Sequence, residues 1–146
     1  MLKPLERKCS LLFDEMALEA NLYFDKSNDC IFGYEAFGCN NRNIKFADHV
    51  LVFMVRGTKK KFKQPICYYF VQGTTPTAVL VQCFKEVLTN LASTGLDVVT
   101  TVSDQGATNV AAINYLTEPQ PADNTAVVLP NSGAELLFSR WCKHKF

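Results

Sequence analysis

The apolar residues of this chain fall into short runs separated by polar segments, and the spacing within each run predicts the element that it forms. Residues 9–15 are largely apolar until they end in Asp14 and Glu15, which predicts a buried strand with two carboxylates at its exit. Aromatic residues dominate residues 22–24 and 30–34, on either side of a polar turn. That arrangement is typical of a β-hairpin.

The middle of the chain carries the most apolar runs. Residues 37–45 contain a glycine and four Asn or Arg residues, which predicts a loop. Residues 49–55 and 66–71 are apolar almost throughout, as expected of strands that are covered on both faces. The polar residues 59–63 connect these two runs, so the sequence predicts a second hairpin.

A helix is predicted after the second hairpin. Thr75 is expected to cap it, Pro76 suits its first position, and Gly95 is a natural stop. Its apolar residues recur at three- and four-residue spacing and form one stripe: Val79, Leu80, Cys83, Phe84, Val87, Leu88 and Leu91.

A second strand and helix follow the first helix. Residues 97–103 are rich in β-branched side chains and predict a strand that ends at Asp104, and residues 107–116 have helical spacing. Three buried strands (residues 9–15, 49–55 and 66–71), a helix, a fourth such strand and a helix indicate an α/β sheet, in which the fourth strand runs parallel to the first.

The character of the sequence changes after residue 117. Residues 118–124 have the composition of a linker. Beyond them, residues 125–129 predict a short strand and residues 134–141 a short helix.

Composition and charge exclude several classes of protein. The 146 residues suit one domain or part of one, and a content of 48% hydrophobic and 20% charged residues is globular rather than disordered. A net charge of +1 excludes a strongly basic DNA-coating protein. The longest apolar run, residues 50–55, is too short to span a membrane, and the N-terminus carries no apolar secretion signal. The chain is therefore expected in the nucleus or the cytoplasm and is not expected to be secreted.

The six cysteines include no C-x-x-C pair. This pattern, in a chain of this length, argues against both a disulfide framework and a structural zinc site. Cys67 lies in an apolar run and Cys83 on the helix stripe, so both are expected to be small buried hydrophobes in a reducing compartment.

Two aspartates, Asp14 and Asp104, each follow a predicted strand. If the first and fourth strands are parallel neighbours, both carboxylates emerge at one edge of the sheet, where open α/β sheets place their sites. Two close carboxylates repel each other, and a bound Mg²⁺ or Mn²⁺ removes that conflict because hard cations prefer carboxylate oxygens. Such ions can activate a water or a 3′ hydroxyl at a phosphodiester. Spacing alone favours the simpler interpretation that both acids are ordinary turn residues.

Five positive charges fall within eight residues: Arg56, Lys59, Lys60, Lys61 and Lys63. This cluster fits a hairpin tip that contacts phosphates, or a nuclear localisation signal. It also fits a solvated turn between two apolar strands, and charge runs on turns are commonplace. The cluster holds the best candidates for DNA contacts in the sequence.

Four segments together resemble the catalytic domain of P-element-type transposases and of related cellular proteins that carry an N-terminal THAP zinc module. They are residues 11–16 (LLFDEM), 47–57 (ADHVLVFMVRG), 64–70 (QPICYYF) and 103–109 (SDQGATN), in the order of the family. The combination is specific, whereas any one segment alone is weak.

The resemblance divides the chain into three parts. It covers residues 9–117 as a partial RNase H-like transposase domain. Residues 1–8 are then an N-terminal extension, and residues 118–146 are a linker and an unmatched tail.

The resemblance implies an RNase H-like mixed sheet with flanking helices, in agreement with the order of strands and helices above. It also implies a metal-bound acidic triad of the DDE type, which cuts and joins DNA at transposon ends. Asp14 matches the first catalytic, metal-binding Asp of the family and Asp104 the second, with Mg²⁺ or Mn²⁺ as the implied cofactor.

The chain also departs from the family. The family's third acid is a Glu on a helix that follows an inserted guanine-nucleotide-binding domain, and nothing in this sequence matches either part. Glu135 is the only acid in the predicted tail helix, and the strict geometry of metal ligands makes it a poor substitute. The N-terminal zinc module is missing as well. The α/β fold is therefore expected to be incomplete at its C-terminal side.

These features lead to one interpretation and two alternatives. The chain is expected to be a transposase-derived RNase H-like domain related to DNA transposition, and to be inactive alone because the third acid is missing. The alternatives are a domesticated, non-enzymatic module that binds DNA or protein, and a truncated gene product. An incomplete sheet also predicts exposed apolar surface and self-association.

Overall fold

A computed structural model of the chain describes residues 3–37, 42–117 and 137–140. Over these residues the chain forms nine strands, two α-helices and a single turn of 3-10 helix at Pro4–Glu6. The strands are β1 (Lys8–Ala17), β2 (Tyr23–Asp25), β3 (Cys30–Phe32), β4 (Tyr34–Ala36), β5 (Arg42–Phe46), β6 (His49–Gly57), β7 (Lys63–Val71), β8 (Asp97–Ser103) and β9 (Leu137–Arg140). The helices are α1 (Thr77–Ser93) and α2 (Ala107–Thr117).

Seven of the described strands form one mixed sheet in the order β5-β4-β7-β6-β1-β8-β9, and β2 and β3 pair as a separate hairpin. β1 pairs antiparallel with β6, and β6 with β7. β8 runs parallel to β1, and β9 runs parallel to β8. The α/β class, both predicted hairpins and the parallel fourth strand are therefore confirmed.

The core lies between the sheet and the two helices. Side chains alternate along a strand, so Cys9, Leu11 and Phe13 of β1 share one face, and all three are buried against the helices. The rings of Phe13, Phe53 and Phe84 meet at centroid distances of 5.5 to 6.1 Å, which joins β1, β6 and α1. These aromatic contacts fix the side of the sheet on which α1 packs.

Helix α1 buries most of the stripe predicted for it. Val79 is only partly buried, whereas Val81, outside the predicted stripe, is buried. The helix begins one residue later than expected: Pro76 is the N-cap, and no side chain caps the helix. Gly95, with φ +78°, ends it as predicted, because glycine adopts that backbone conformation at little cost.

The other side of the sheet, turned away from α1 and α2, is called the far face below. It is formed by alternate residues of the strands: Leu12, Asp14 and Met16 on β1, Val52, Met54 and Arg56 on β6, Tyr68 and Phe70 on β7, and Val102 on β8. Met16 and Tyr68 are 55% and 62% exposed, respectively. The far face thus combines an acid, a cation and apolar side chains on one surface.

Two local expectations are wrong. Residues 37–45 were expected to form a loop, but Arg42–Phe46 forms β5, which pairs antiparallel with β4. Leu137–Arg140 lies in the predicted tail helix, but it forms β9 beside β8. Both are short strands at the edges of the sheet, and the partner strand rather than local propensity decides their conformation.

Some expectations for the tail lie outside the described residues. They concern the linker at residues 118–124, the strand at residues 125–129 and Glu135. Among the described helices, none is both long and apolar enough to cross a membrane.

Cys9, Cys67 and Cys83 are free thiols. Cys83 is buried as predicted, whereas Cys67 is half-buried. Burial raises the pKa of Cys83 to about 12 and that of Cys9 to about 11. Both thiols therefore stay protonated at neutral pH and pack as small apolar side chains.

Candidate metal centre

Asp14 lies on the far face, within β1 and three residues before the strand ends at Ala17. The expectation that the strand ends at this acid is wrong, because residues 15–17 continue to pair with β6. Asp14 is opposite Val52 on β6, and its side chain is exposed. The Oδ1 atom accepts a hydrogen bond from the backbone N–H of Glu15 at 3.0 Å.

Asp104 directly follows Ser103, the last residue of β8, as predicted. It is half-buried, and its Oδ1 accepts hydrogen bonds from the backbone N–H of Gly106 at 3.2 Å and from the side-chain amide of Asn109. A Cβ at Gly106 would lie only 3.2 Å from the same Oδ1. The turn from β8 into α2 therefore holds this carboxylate closely, and a larger residue at Gly106 would crowd it.

Asn109 is a further functional candidate. It lies in the segment 103–109 that resembles the family, but the sequence alone assigns it no role. It lies in the first turn of α2 and reaches back five positions to Asp104. The signal in the sequence is an Asp and an Asn five residues apart across a strand-to-helix turn, which alone is weak. Its amide orients the carboxylate from the side of the helix.

The parallel pairing of β1 with β8 bears on how close the two aspartates are. Leu12 is paired with Val102 in the last pair between these strands, and Asp14 and Asp104 each lie two residues further along the chain. Neighbouring strands in a sheet lie about 4.8 Å apart, and a two-residue step keeps a side chain on the same face. We therefore expect both carboxylates to lie near each other on the far face.

The chemistry of this pair fits a divalent cation. Carboxylate oxygens are the preferred ligands of Mg²⁺ and Mn²⁺. The N–H of Gly106 and the amide of Asn109 both donate to Oδ1 of Asp104 rather than to Oδ2. Over the described residues, no group of three or more His, Cys, Asp or Glu side chains is placed to hold a metal ion. Asp14 and Asp104 therefore supply two candidate carboxylate ligands.

Three other carboxylates accept hydrogen bonds from the backbone of one loop, which connects β7 to α1. Glu35 accepts from Gln72 at 3.3 Å, Asp48 from Gly73 at 2.6 Å, and Glu15 from Thr75 at 2.8 Å. These acids come from β4, from the residue before β6 and from β1, so they tie three parts of the sheet to the start of α1. Periodicity did not reveal them because each contact spans 25 to 60 residues.

Asp48 is held most closely of the three. His49 Nδ1 lies 2.8 Å from Asp48 Oδ1. This hydrogen bond, followed by that from the Gly73 N–H, holds the pKa of the Asp48 carboxyl below its usual range. The interaction explains His49 as a structural histidine at the start of β6.

The basic residues predicted as DNA contacts lie in the turn between β6 and β7 and at the ends of the two strands that flank it. All five are exposed: Arg56, Lys59, Lys60, Lys61 and Lys63. Arg56 is opposite Ser10 on β1, whereas Asp14 lies four residues further along that strand. The structure therefore places the cluster and the acidic pair on the same sheet but not next to each other.

The mixed sheet, with two helices packed on one side, defines an RNase H-like domain of the transposase class. Residues 1–117 match the family described as TNP-like, RNase H N-terminal domain, and the chain belongs to this family. The match begins at residue 1 and ends at residue 117.

Two further comparisons agree. The chain is 33% identical over 104 residues to the Transposable element P transposase of Drosophila melanogaster, which covers 71% of this chain and 12% of that protein. In structure it is similar to the Drosophila P element transposase strand transfer complex, with a TM-score of 0.57 and 29% identity over 77% of this chain and 22% of that chain. The chain thus spans a small part of the length of the relatives that it matches. It is the N-terminal region of a P-element-type, transposase-derived RNase H-like domain related to DNA transposition.

Proposed function

We propose that Asp14 and Asp104 together hold Mg²⁺ or Mn²⁺ in a domain that takes part in cutting and joining DNA strands. The observation that supports this most directly is the parallel pairing of β1 with β8, whose last pair, Leu12 with Val102, lies two residues before both aspartates. The family adds that this sheet belongs to a transposase-type domain. Neither observation alone would distinguish a metal ligand from an ordinary turn residue.

The residues at the proposed site have two kinds of role. Asp14 and Asp104 offer carboxylate oxygens, while Gly106 and Asn109 fix the orientation of Asp104. A divalent ion, when bound, supplies charge stabilisation at a phosphodiester and activates a water or a 3′ hydroxyl. The exposure of Asp14 leaves the site open to DNA on the far face.

We further propose that this chain alone does not cleave DNA. Two carboxylates hold an ion weakly, and the two-ion chemistry of phosphodiester cleavage needs a further ligand to fix the second ion. In this proposal the third carboxylate comes from sequence beyond the described residues or from another chain. The domain then contributes two of the three acids of the triad, Asp14 and Asp104.

Binding of Mn²⁺, followed by the loss of its EPR signal or by calorimetry, tests the metal site. We expect saturable binding to the chain, and we expect Asp14→Asn and Asp104→Asn each to abolish it. Asp29→Asn is the matched control, since it removes an exposed carboxylate from the β2–β3 turn. Equal Mn²⁺ binding by the wild type and all three variants would refute the site. Absence of Mn²⁺ binding to a folded wild-type chain would favour a non-enzymatic module.

Incubation of the chain with Mn²⁺ and end-labelled DNA tests its inactivity. We expect no strand cleavage above that of the Asp104→Asn variant. Cleavage that Asp104→Asn abolishes would show that the chain forms a complete site after all.

A further inference from the structure

The basic tip, defined as Arg56, Lys59, Lys60, Lys61 and Lys63, concentrates the positive charge of the chain. The chain has a net charge of +1, so everything outside the tip sums to 1 − 5 = −4. Within the described residues, no ion pair involves any of the five. The tip therefore presents positive charge that neighbouring acids do not neutralise.

The backbone of the tip is closely held. The N–H of Gly57 donates to the carbonyl of Phe62 at 3.0 Å, and the N–H and hydroxyl of Thr58 both donate to the carbonyl of Lys8 at 3.0 Å. A Cβ at Gly57 would lie 2.5 Å from the Phe62 ring, so the ring packs directly on the glycine. A turn that is ordered in advance loses less entropy when it binds a partner.

The tip also lies in line with the acidic pair. Arg56 is on the far face, opposite Lys63 on β7 and Ser10 on β1. Four residues separate Ser10 from Asp14, which at about 3.3 Å per residue is roughly 13 Å along the strand. One strand of B-DNA advances about 3.4 Å per nucleotide, so that distance corresponds to roughly four nucleotides.

We propose that the basic tip binds the phosphate backbone of duplex DNA, and that the bound DNA runs along the far face towards Asp14 and Asp104. The second half rests on the proposed function, since it places the DNA over the acidic pair. The first half requires only the charge and the order of the tip.

Fluorescence anisotropy with a labelled 20-base-pair duplex, in EDTA and over a range of NaCl concentrations, tests the tip. Each phosphate contact contributes about 0.9 to the slope of log K against log salt concentration. We expect Lys59→Gln combined with Lys61→Gln to lower that slope by about 1.8 and to weaken binding, and the corresponding Lys→Arg pair to restore both.

The matched control removes two exposed lysines elsewhere, Lys26 and Lys45, and replaces each with Gln. We expect this pair to leave the slope nearly unchanged. An equal loss of slope in both double variants, or no binding of the duplex by the wild-type chain, would overturn the proposal.

The path of the DNA has its own test. Asp14→Asn removes a negative charge beneath the proposed path, so in EDTA and low salt it is expected to tighten duplex binding severalfold. Asp29→Asn is expected to have no effect. If Asp14→Asn binds like the wild type while the tip variant is impaired, the tip binds DNA but the path over the acids is wrong.

EDTA removes divalent ions, so failure of the metal site does not affect these measurements. The tip also matches the composition of a nuclear localisation signal. A nuclear import receptor is therefore assayed in parallel. Receptor binding that the tip variant loses, together with unchanged DNA binding, would overturn the proposal in favour of an import signal.

Discussion

The two aspartates of the candidate centre have different surroundings. Asp14 lies within β1 and is paired with Val52 of β6. Asp104 lies beyond the end of β8, where its position depends on the turn and on Asn109. Strand pairing therefore positions one acid, whereas a turn and a side-chain amide position the other.

Asn109→Ala removes the amide that orients Asp104. We expect the Mn²⁺ dissociation constant to rise on the order of 10-fold, because loss of a partner that orients a metal ligand typically has this effect. Calorimetry with Mn²⁺ measures it, and Asn114→Ala, at an exposed position of the same helix, is the control. An unchanged dissociation constant in Asn109→Ala would show that the turn alone positions Asp104.

At this scale the sequence identified the two acids as candidates but assigned no role to the residues that contact them. Asp14 and Asp104 could be named because each follows an apolar run and because the surrounding segments resemble a known family. Asn109 and Glu15 could not be assigned a role, since each acts through a contact that exists only when a helix and the sheet are in place.

At the scale of elements, the loop between β7 and α1 joins the sheet to its helix. Thr75, just before the helix, is fully buried, and its N–H has the Glu15 carboxylate as acceptor. Because Glu15 follows Asp14 directly, one β-strand residue faces the candidate metal site and the next secures α1. The first strand therefore serves the site on one face and the core on the other.

Glu15→Ala leaves the buried N–H of Thr75 without this acceptor. We expect a loss of about 1–3 kcal/mol in the free energy of unfolding, which is typical when a buried donor becomes unsatisfied. Urea denaturation followed by circular dichroism measures it. Glu15→Gln keeps an acceptor oxygen and should lose less, and Glu19→Ala, an exposed position after β1, should be near neutral. Equal effects of Glu15→Ala and Glu19→Ala would contradict the role of Glu15.

Elements with a strong internal pattern were predictable, whereas those that depend on a neighbour were not. The apolar stripe of α1 and the apolar runs of β6 and β7 can be recognised from their own sequence pattern. The strands β5 and β9 have five and four residues, and each is paired by an adjacent strand whose position the local sequence does not encode. A short edge strand can therefore be predicted only when the strand that pairs with it is known.

At the scale of the whole molecule, the two sides of the sheet differ. Both described helices belong to the core on one side, and the far face carries exposed apolar side chains beside Asp14 and Arg56. Apolar surface of this kind is unfavourable in water and favours contact with another surface. The expectation of self-association therefore applies to the far face.

We predict that the chain self-associates in a concentration-dependent manner in sedimentation velocity. Tyr68→Ser removes an aromatic ring from the far face and should weaken association. Tyr23→Ser, on the β2–β3 hairpin, is the control, because Tyr23 is 67% exposed and Tyr68 is 62% exposed. A monomer at all concentrations would contradict the prediction, and a stronger effect of Tyr23→Ser would move the contact to the hairpin.

The parallel pairing of β1 with β8 has a consequence for the order of folding. Asp14 leaves the ribosome 104 − 14 = 90 residues before Asp104, and pairing between strands so distant in sequence requires a large loop to close first. A partly synthesised chain therefore holds one acid without the other. In the proposed metal site, an ion that binds both acids would stabilise the folded domain, since the pair exists only after β1 and β8 have come together.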